Sequence, residues 1–300
     1  MMVLCLKVSK DKAVREHKVR ITPQCIFTFY IQLYIKQNIL KLSIKLKKHL
    51  CIGCFEKTPI IKFCDRLESK CVRLGELTEL FVSGNGSFVW NQHKELLRER
   101  EEKNTLPLIS AASIDLYGFT FPYSGSHPSR VRSFSIVGET ILHKIHSQIA
   151  LLIQRTTPRK VGRRLVAGIP PSEFFNKYPQ YFLENHVNYI KVVNGTDTQI
   201  LYGLLGWLNS DLINFVFQLR NGTTLVSIYE LSLLPVTLEV VKQLVPLTQN
   251  IITTTGKERV INIKALNEAI FDWLELEPRY RDRIESVLNR REIEDANARR

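Results

Sequence analysis

No cysteine follows residue 71 in this chain of 300 residues; all six, Cys5, Cys25, Cys51, Cys54, Cys64 and Cys71, lie no further along. A disulfide framework is thereby excluded for everything after that point, and the break in composition marks the N-terminal stretch as a separate unit. Long apolar runs are missing too. The longest near the N-terminus, residues 25–35, ends at Lys36, well short of the roughly 20 residues that cross a bilayer. With no signal-peptide cleavage pattern behind the first residues, the expectation is a cytoplasmic protein with free thiols and no membrane partner.

A metal centre would need more order among those cysteines. Cys51-x-x-Cys54 has a spacer that lets two sulfurs reach one tetrahedral ion, but Cys64 and Cys71 are separated by six residues rather than two, so no metal site is expected. Charge is unevenly spread as well. The formal net charge is +13, yet residues 1–70 hold 15 Lys and Arg against 5 Asp and Glu, and the remainder 27 against 24. Beyond residue 70, contact with nucleic acid therefore has to come from local clusters. Within the basic stretch, residues 39–47 alternate apolar and basic side chains, as a strand with one wet face does. A basic protein that binds RNA or an anionic surface through this segment is one alternative.

What is present suits an α+β chain, and a hydrophobic content of 44% supports a substantial core. Three regions are expected: a basic, cysteine-containing segment at 1–66, a mixed strand-and-turn domain at 67–237, and a helical C-terminal region at 238–300. In the second, short extended runs at 80–82, 87–90, 106–111 and 117–121 are broken by Gly and Pro, with one charged helix over 91–103. Buried strands follow at 149–155, 165–169 and 189–193. Helices are expected over 238–253, 261–274 and 280–297, the last placed after Pro278.

The most informative stretch is residues 204–235, LLGWLNSDLINFVFQLRNGTTLVSIYELSLLP. Leu204, Leu205, Leu208, Leu212, Ile213, Phe215, Val216 and Leu219 keep one broad helical face apolar. Asn209, Ser210, Asp211 and Asn214 interrupt it, so Asn209 or Ser210 can cap a second helix starting at Asp211. A stop is expected near Asn221-Gly222, and residues 225–234 read as a short strand or extended loop.

Leu205-Gly206, Leu208-Asn209-Ser210, Asn221-Gly222, Val226-Ser227, Glu230-Leu231 and Leu234-Pro235, in that order, resemble the target-recognition domain of adenine-specific DNA methyltransferases of type II restriction-modification systems. Two earlier blocks agree. Leu74-Gly75-Glu76-Leu77, Val82-Ser83-Gly84 and Val89-Trp90-Asn91-Gln92-His93-Lys94 are similar to the opening of that domain in the gamma class. Residues 152–157 with 163–167 and Glu184-Asn185-His186-Val187-Asn188 are similar to its central strands. The resemblance runs over residues 67–236.

In the intact family the resemblance implies methyl transfer from S-adenosylmethionine by a catalytic domain that precedes this one. Here the motifs of that domain are missing. Amino-directed transfer needs Asp, Asn or Ser followed by Pro-Pro and an aromatic residue to hold a flipped base, whereas Pro170-Pro171 stands between Ile169 and Ser172. The nearest cofactor loop, Gly84-Asn85-Gly86, runs into Phe88-Val89-Trp90 where a helix should begin, and reads as a hairpin turn. Asp65, Glu68 and Lys70 are too close in sequence for a two-strand nuclease site, and His143-x-x-His146 lacks a third ligand. No catalytic, cofactor-binding or metal residue is expected.

DNA contact has better candidates. Arg155, Arg159, Lys160, Arg163 and Arg164 put five cations into ten residues between two strands, suited to phosphate neutralisation. Arg130 and Arg132 flank a Ser/Gly/His/Pro loop and can reach a groove. Asn221, Thr223 and Thr224 line a turn that either reads bases or serves local caps. The expectation is a module that recognises a sequence in double-stranded DNA, either as a truncated copy or as a specificity partner of a separate methyltransferase chain. A second expectation is a methyltransferase whose catalysis is supplied in trans.

Overall fold

A computed structural model describes the backbone of residues 2–10 and 13–21, and residues 67–123, 133–157, 163–220, 225–278, 280–282, 284–286 and 288. The chain separates into two compact units, residues 1–58 with 218–222 and residues 59–217 with 223–300. In the first, β1 (Met2–Lys10) and β2 (Ala13–Ile21) form an antiparallel hairpin in which Met2 stands opposite Ile21 and Lys10 opposite Ala13. Cys51, Cys54, Cys64, Asp65 and the alternating stretch at 39–47 lie outside the described residues.

The strands of the second unit are β3 (Val72–Arg73), β4 (Phe81–Asn85), β5 (Leu97–Arg98), β6 (Thr105–Ile109), β7 (Ile114–Asp115), β8 (Gly118–Phe119), β9 (Phe134–Ile136), β10 (Ile145–His146), β11 (Leu151–Gln154), β12 (Ala167–Gly168), β13 (Tyr181–Leu183), β14 (Val187–Val192) and β15 (Pro235–Val236). Its helices are α1 (Ser172–Lys177), α2 (Ile200–Asn209), α3 (Asp211–Arg220), α4 (Ile228–Ser232), α5 (Leu238–Thr253) and α6 (Gly256–Trp273). The result is a mixed α+β fold, as its sequence pattern implies.

Two sheets organise it. One is antiparallel in the order β12-β11-β14-β4; the other is mixed in the order β10-β13-β6-β9-β5, with β13 and β6 parallel. Because successive strand residues face opposite ways, β13 serves two cores at once. Tyr181 and Leu183 pack with Ile109, Leu152, Phe174 and Val187, while Phe182 packs with Phe88, Leu97, Leu108 and Ile141.

Helix α2 is buried along its length except at Tyr202, the pattern of a core helix rather than a surface one. Gly203 and Gly206 let it lie close against α5: a Cβ on Gly203 would overlap the Val241 carbonyl, and one on Gly206 the Thr248 hydroxyl. Helix α5 spans the residues its periodicity predicts and buries Val240, Val241, Leu244, Thr248 and Ile251 as one stripe. Pro246 inside it is exposed, as is Lys242 one turn back, whose carbonyl loses its helical donor, so both face water. The described residues from Pro278 to Leu288 are helical. At the other boundary β15 pairs with β3, Val236 opposite Val72, which returns the chain to its starting edge. No single helix among the described residues is long and apolar enough to cross a membrane; α2 and α3 reach that composition together but are bent by 61°.

Three local expectations are corrected. Residues 91–103 do not form a helix: 3-10 turns at Trp90–Gln92 and Lys94–Leu96 lead into β5, where Leu97 is buried and stands opposite Ser135. Burial of that leucine in the sheet overrides the helical propensity of the charged residues around it. Gly84-Asn85-Gly86 is not a hairpin turn. Strand β4 continues to Asn85, with Gly84 opposite Tyr189, and beyond its end the Gly86 amide still donates to the Val187 carbonyl at 2.7 Å. Glycine is required because a Cβ at Gly86 would overlap the Glu184 carbonyl. Lastly, residues 225–234 contain α4 rather than a strand. Ser227 Oγ accepts from the Glu230 amide at 3.2 Å and Glu230 Oε2 accepts from the Ser227 amide at 2.9 Å, a capping box that the spacing Ser-x-x-Glu announces.

Candidate nucleic-acid interface

The polar residues that interrupt the apolar face at 204–219 meet at the joint between α2 and α3. Ser210 Oγ accepts from the Ile213 amide at 3.2 Å and donates to the Trp207 carbonyl at 2.7 Å, which caps the second helix at the bend. The two asparagines grip main chain. Asn209 accepts from the Ala167 amide at 3.0 Å and donates to the Ala167 carbonyl at 2.9 Å; Asn214 Oδ1 accepts from the amides of Arg164 at 2.8 Å and Leu165 at 3.3 Å. Both side chains are buried; the Asn209 carboxamide is met at both ends, whereas Asn214 grips through Oδ1 alone and its Nδ2 has no hydrogen-bond partner among the described residues. They bind residues 164–167 as a neighbouring strand would.

Arg163 joins the same network. Its guanidinium donates to the Asn209 carbonyl at 2.8 Å and pairs with Asp211, which accepts from Asn267 Nδ2 at 3.0 Å while its own amide donates to Asn267 Oδ1 at 2.8 Å. One end of the basic loop is thus riveted directly to the helix joint, and Asn267 of α6 braces Asp211 there.

The other end is stitched to two further segments. The Arg155 amide donates to the His186 carbonyl at 2.9 Å, its guanidinium to the Asn185 carbonyl at 2.9 Å, and its carbonyl accepts from the Val226 amide at 2.7 Å. Thr156 bridges Leu225, and Asn188 Nδ2 donates to the Val226 carbonyl at 2.7 Å. Across the loop, Thr157 Oγ1 donates to the Arg164 carbonyl at 2.8 Å and closes its base. Arg155, Arg163 and Arg164 therefore stand at the foot of one loop. Arg159 and Lys160 belong to that loop but lie outside the described residues, as do Asn221, Thr223, Thr224, Arg130 and Arg132. Leu225, the first described residue after the Asn221 turn, meets the basic loop at Thr156. The described residues on either side of 124–132 stand at a different place: the Ser133 carbonyl accepts from Leu108 in the mixed sheet at 2.8 Å, and Phe134 packs against Phe121 and Tyr178.

One pair escaped the sequence reading. Glu184 is 8% exposed, and its carboxylate accepts from His186 Nδ1 at 2.7 Å across the turn between β13 and β14, while the imidazole is 44% exposed. The only signal was a Glu-x-His inside a block singled out for other reasons.

The remaining candidates take ordinary roles. His146 accepts from Lys191 Nζ at 2.9 Å between the rings of Tyr181 and Tyr189; burial first, and the Lys191 charge second, lower its pKa from 6.5 to about 4. His143 is exposed. Lys70 donates to the Trp273 carbonyl at 3.3 Å and lies over its ring. Burial pushes the Cys71 thiol up to about 12. Among the described residues no three His, Cys, Asp or Glu side chains are grouped to hold a metal ion.

No protein-family model matches this chain. Over 162 residues, 54% of its length, it is 28% identical to the type II methyltransferase M.BsuBI of Bacillus subtilis, and it spans 31% of that protein. Among solved structures, the type IIG restriction endonuclease BpuSI is 14% identical with a TM-score of 0.38, over 86% of this chain and 36% of that one. The HsdS subunit from Thermoanaerobacter tengcongensis is 12% identical with a TM-score of 0.36, over 89% of this chain and 55% of that one.

Proposed function

We propose that this chain is a DNA target-recognition module of a type II restriction-modification methyltransferase, of the adenine-specific gamma class. It reads double-stranded DNA and presents an adenine to a methyl-transfer site outside residues 1–300. The observation that carries this is the foot of the basic loop: Arg155, Arg163 and Arg164 are brought together there, and the Thr156–Leu225 bridge joins it to the segment that leads into α4. A rigid base beneath a cationic loop is the arrangement that backbone-positioning contacts need. The likeness to a type II methyltransferase supports the same reading.

Roles within the loop divide. Arg163 holds the loop to Asp211 and Asn209 and Arg155 holds the Asn185 carbonyl, so contact with phosphates is assigned first to Arg159 and Lys160; Arg164, Arg130 and Arg132 are further candidates for DNA contact, and Asn221, Thr223 and Thr224 for base reading. The test is selection by the full chain from a duplex pool randomised at its centre. Enrichment of one sequence is expected, and the affinity of Arg159→Ala/Lys160→Ala for it should fall with a salt slope shallower by roughly two, at about 0.9 per phosphate contact. An unenriched pool, or an unchanged slope, counts against this assignment.

A further inference from the structure

The turn at Glu184-Asn185-His186 is held from both sides. Its Glu184 amide donates to the Ile109 carbonyl at 3.0 Å and its Asn185 amide to the Phe88 carbonyl at 3.0 Å, while Gly86 packs against the Glu184 carbonyl too closely for any side chain. On the other side, Arg155 takes the carbonyls of both Asn185 and His186. Turns on a surface rarely receive so much main-chain anchoring.

Its side chains are used in an uncommon way. Glu184 is buried and directs its carboxylate to an imidazole that is half exposed. A carboxylate accepting from Nδ1–H fixes the tautomer and the plane of the ring and leaves Nε2 as an outward acceptor. Arg155 Nε and Asn185 Oδ1, in the same turn cluster, are buried without a hydrogen-bond partner among the described residues. The preset imidazole stands beside the foot of the basic loop and the segment that leads into α4.

We propose that His186 is a specificity-determining residue, its Nε2 accepting a hydrogen from the exocyclic amine of an adenine or cytosine in the major groove, and that Glu184 is its positioning residue. The inference rests on the DNA-recognition reading above. Of the base-edge groups in that groove, the amines of adenine and cytosine are the donors, so an outward acceptor selects for them.

The experiment uses the full chain and the duplex it selects from a randomised pool, with a scrambled duplex beside it. His186→Ala is expected to bind the selected duplex about ten-fold more weakly, the cost of leaving one buried donor unmatched, while affinity for the scrambled duplex and the salt slope stay unchanged. His186→Gln, which offers an amide oxygen in place of Nε2, should recover most of the loss. At one position, replacing adenine by purine, which lacks the amine, should weaken the unaltered chain but not His186→Ala. His186→Ala also strips the buried Glu184 carboxylate of its partner, so binding is compared at a temperature where its melting curve shows it folded, whereas His186→Gln, whose amide can still donate to Glu184, should melt close to the unaltered chain. Equal loss on both duplexes with a shallower salt slope would mean a phosphate contact and overturn the proposal, as would an unaffected His186→Ala. A pool that enriches nothing removes the DNA-recognition reading and this proposal together.

Discussion

A residue's neighbours decide what it does here more than its type. Arg163 belongs by sequence to a cluster of five cations, yet its guanidinium is engaged by Asp211 and the Asn209 carbonyl, so its removal strips a partner from a half-buried carboxylate rather than merely a surface charge. His146 shows the same logic with a proton. Its pKa is lowered from 6.5 to about 4 by burial and by Lys191, so the unfolded chain takes up a proton that the folded chain refuses. The stability this contributes is complete above about pH 6.5 and is lost as pH falls toward 4. Urea midpoints measured across that interval should drop for the unaltered chain and drop less for His146→Gln, which keeps an acceptor for Lys191 but cannot titrate. Parallel profiles would assign the acid sensitivity elsewhere.

At the scale of elements, the close crossing of α2 on α5 is the most exposed to a single change. Gly203→Ala places a methyl where the Val241 carbonyl stands, and the helices have to part; a loss of at least about 2 kcal/mol is expected from chemical denaturation, within the range of overpacked cores. Helix α5 was legible because its apolar stripe repeats at helical spacing over sixteen residues. The break at Ser210 was legible from its capping chemistry, and the strands around Leu152 and Ile190 from their apolar runs. Residues 91–103 were not, because their charges suit a wet helix and the pull on Leu97 comes from β9, some forty residues away in the chain. Helix α4 hid behind Val226 and Ile228, although Ser227 and Glu230 carried its signature. Of the candidate site, the cations were legible as a cluster; that Asn209 and Asn214 hold the loop's main chain was not, since a polar residue in an apolar face does not announce its partner.

For the whole molecule, the two sheets and the α2–α5 pair form a scaffold whose loops carry the proposed contacts. Titration calorimetry with S-adenosylmethionine and the full chain alone should give no binding heat; a saturating isotherm would place a cofactor site in this chain. The grip of Asn209 and Asn214 has a consequence for how such a chain changes over time. They bind amides and carbonyls, which every residue but proline supplies in full, so the fastening at residues 164–167 is indifferent to which side chains the loop displays. A change of preference that leaves this main chain in place leaves the fastening in place too, so specificity and attachment can change independently of one another.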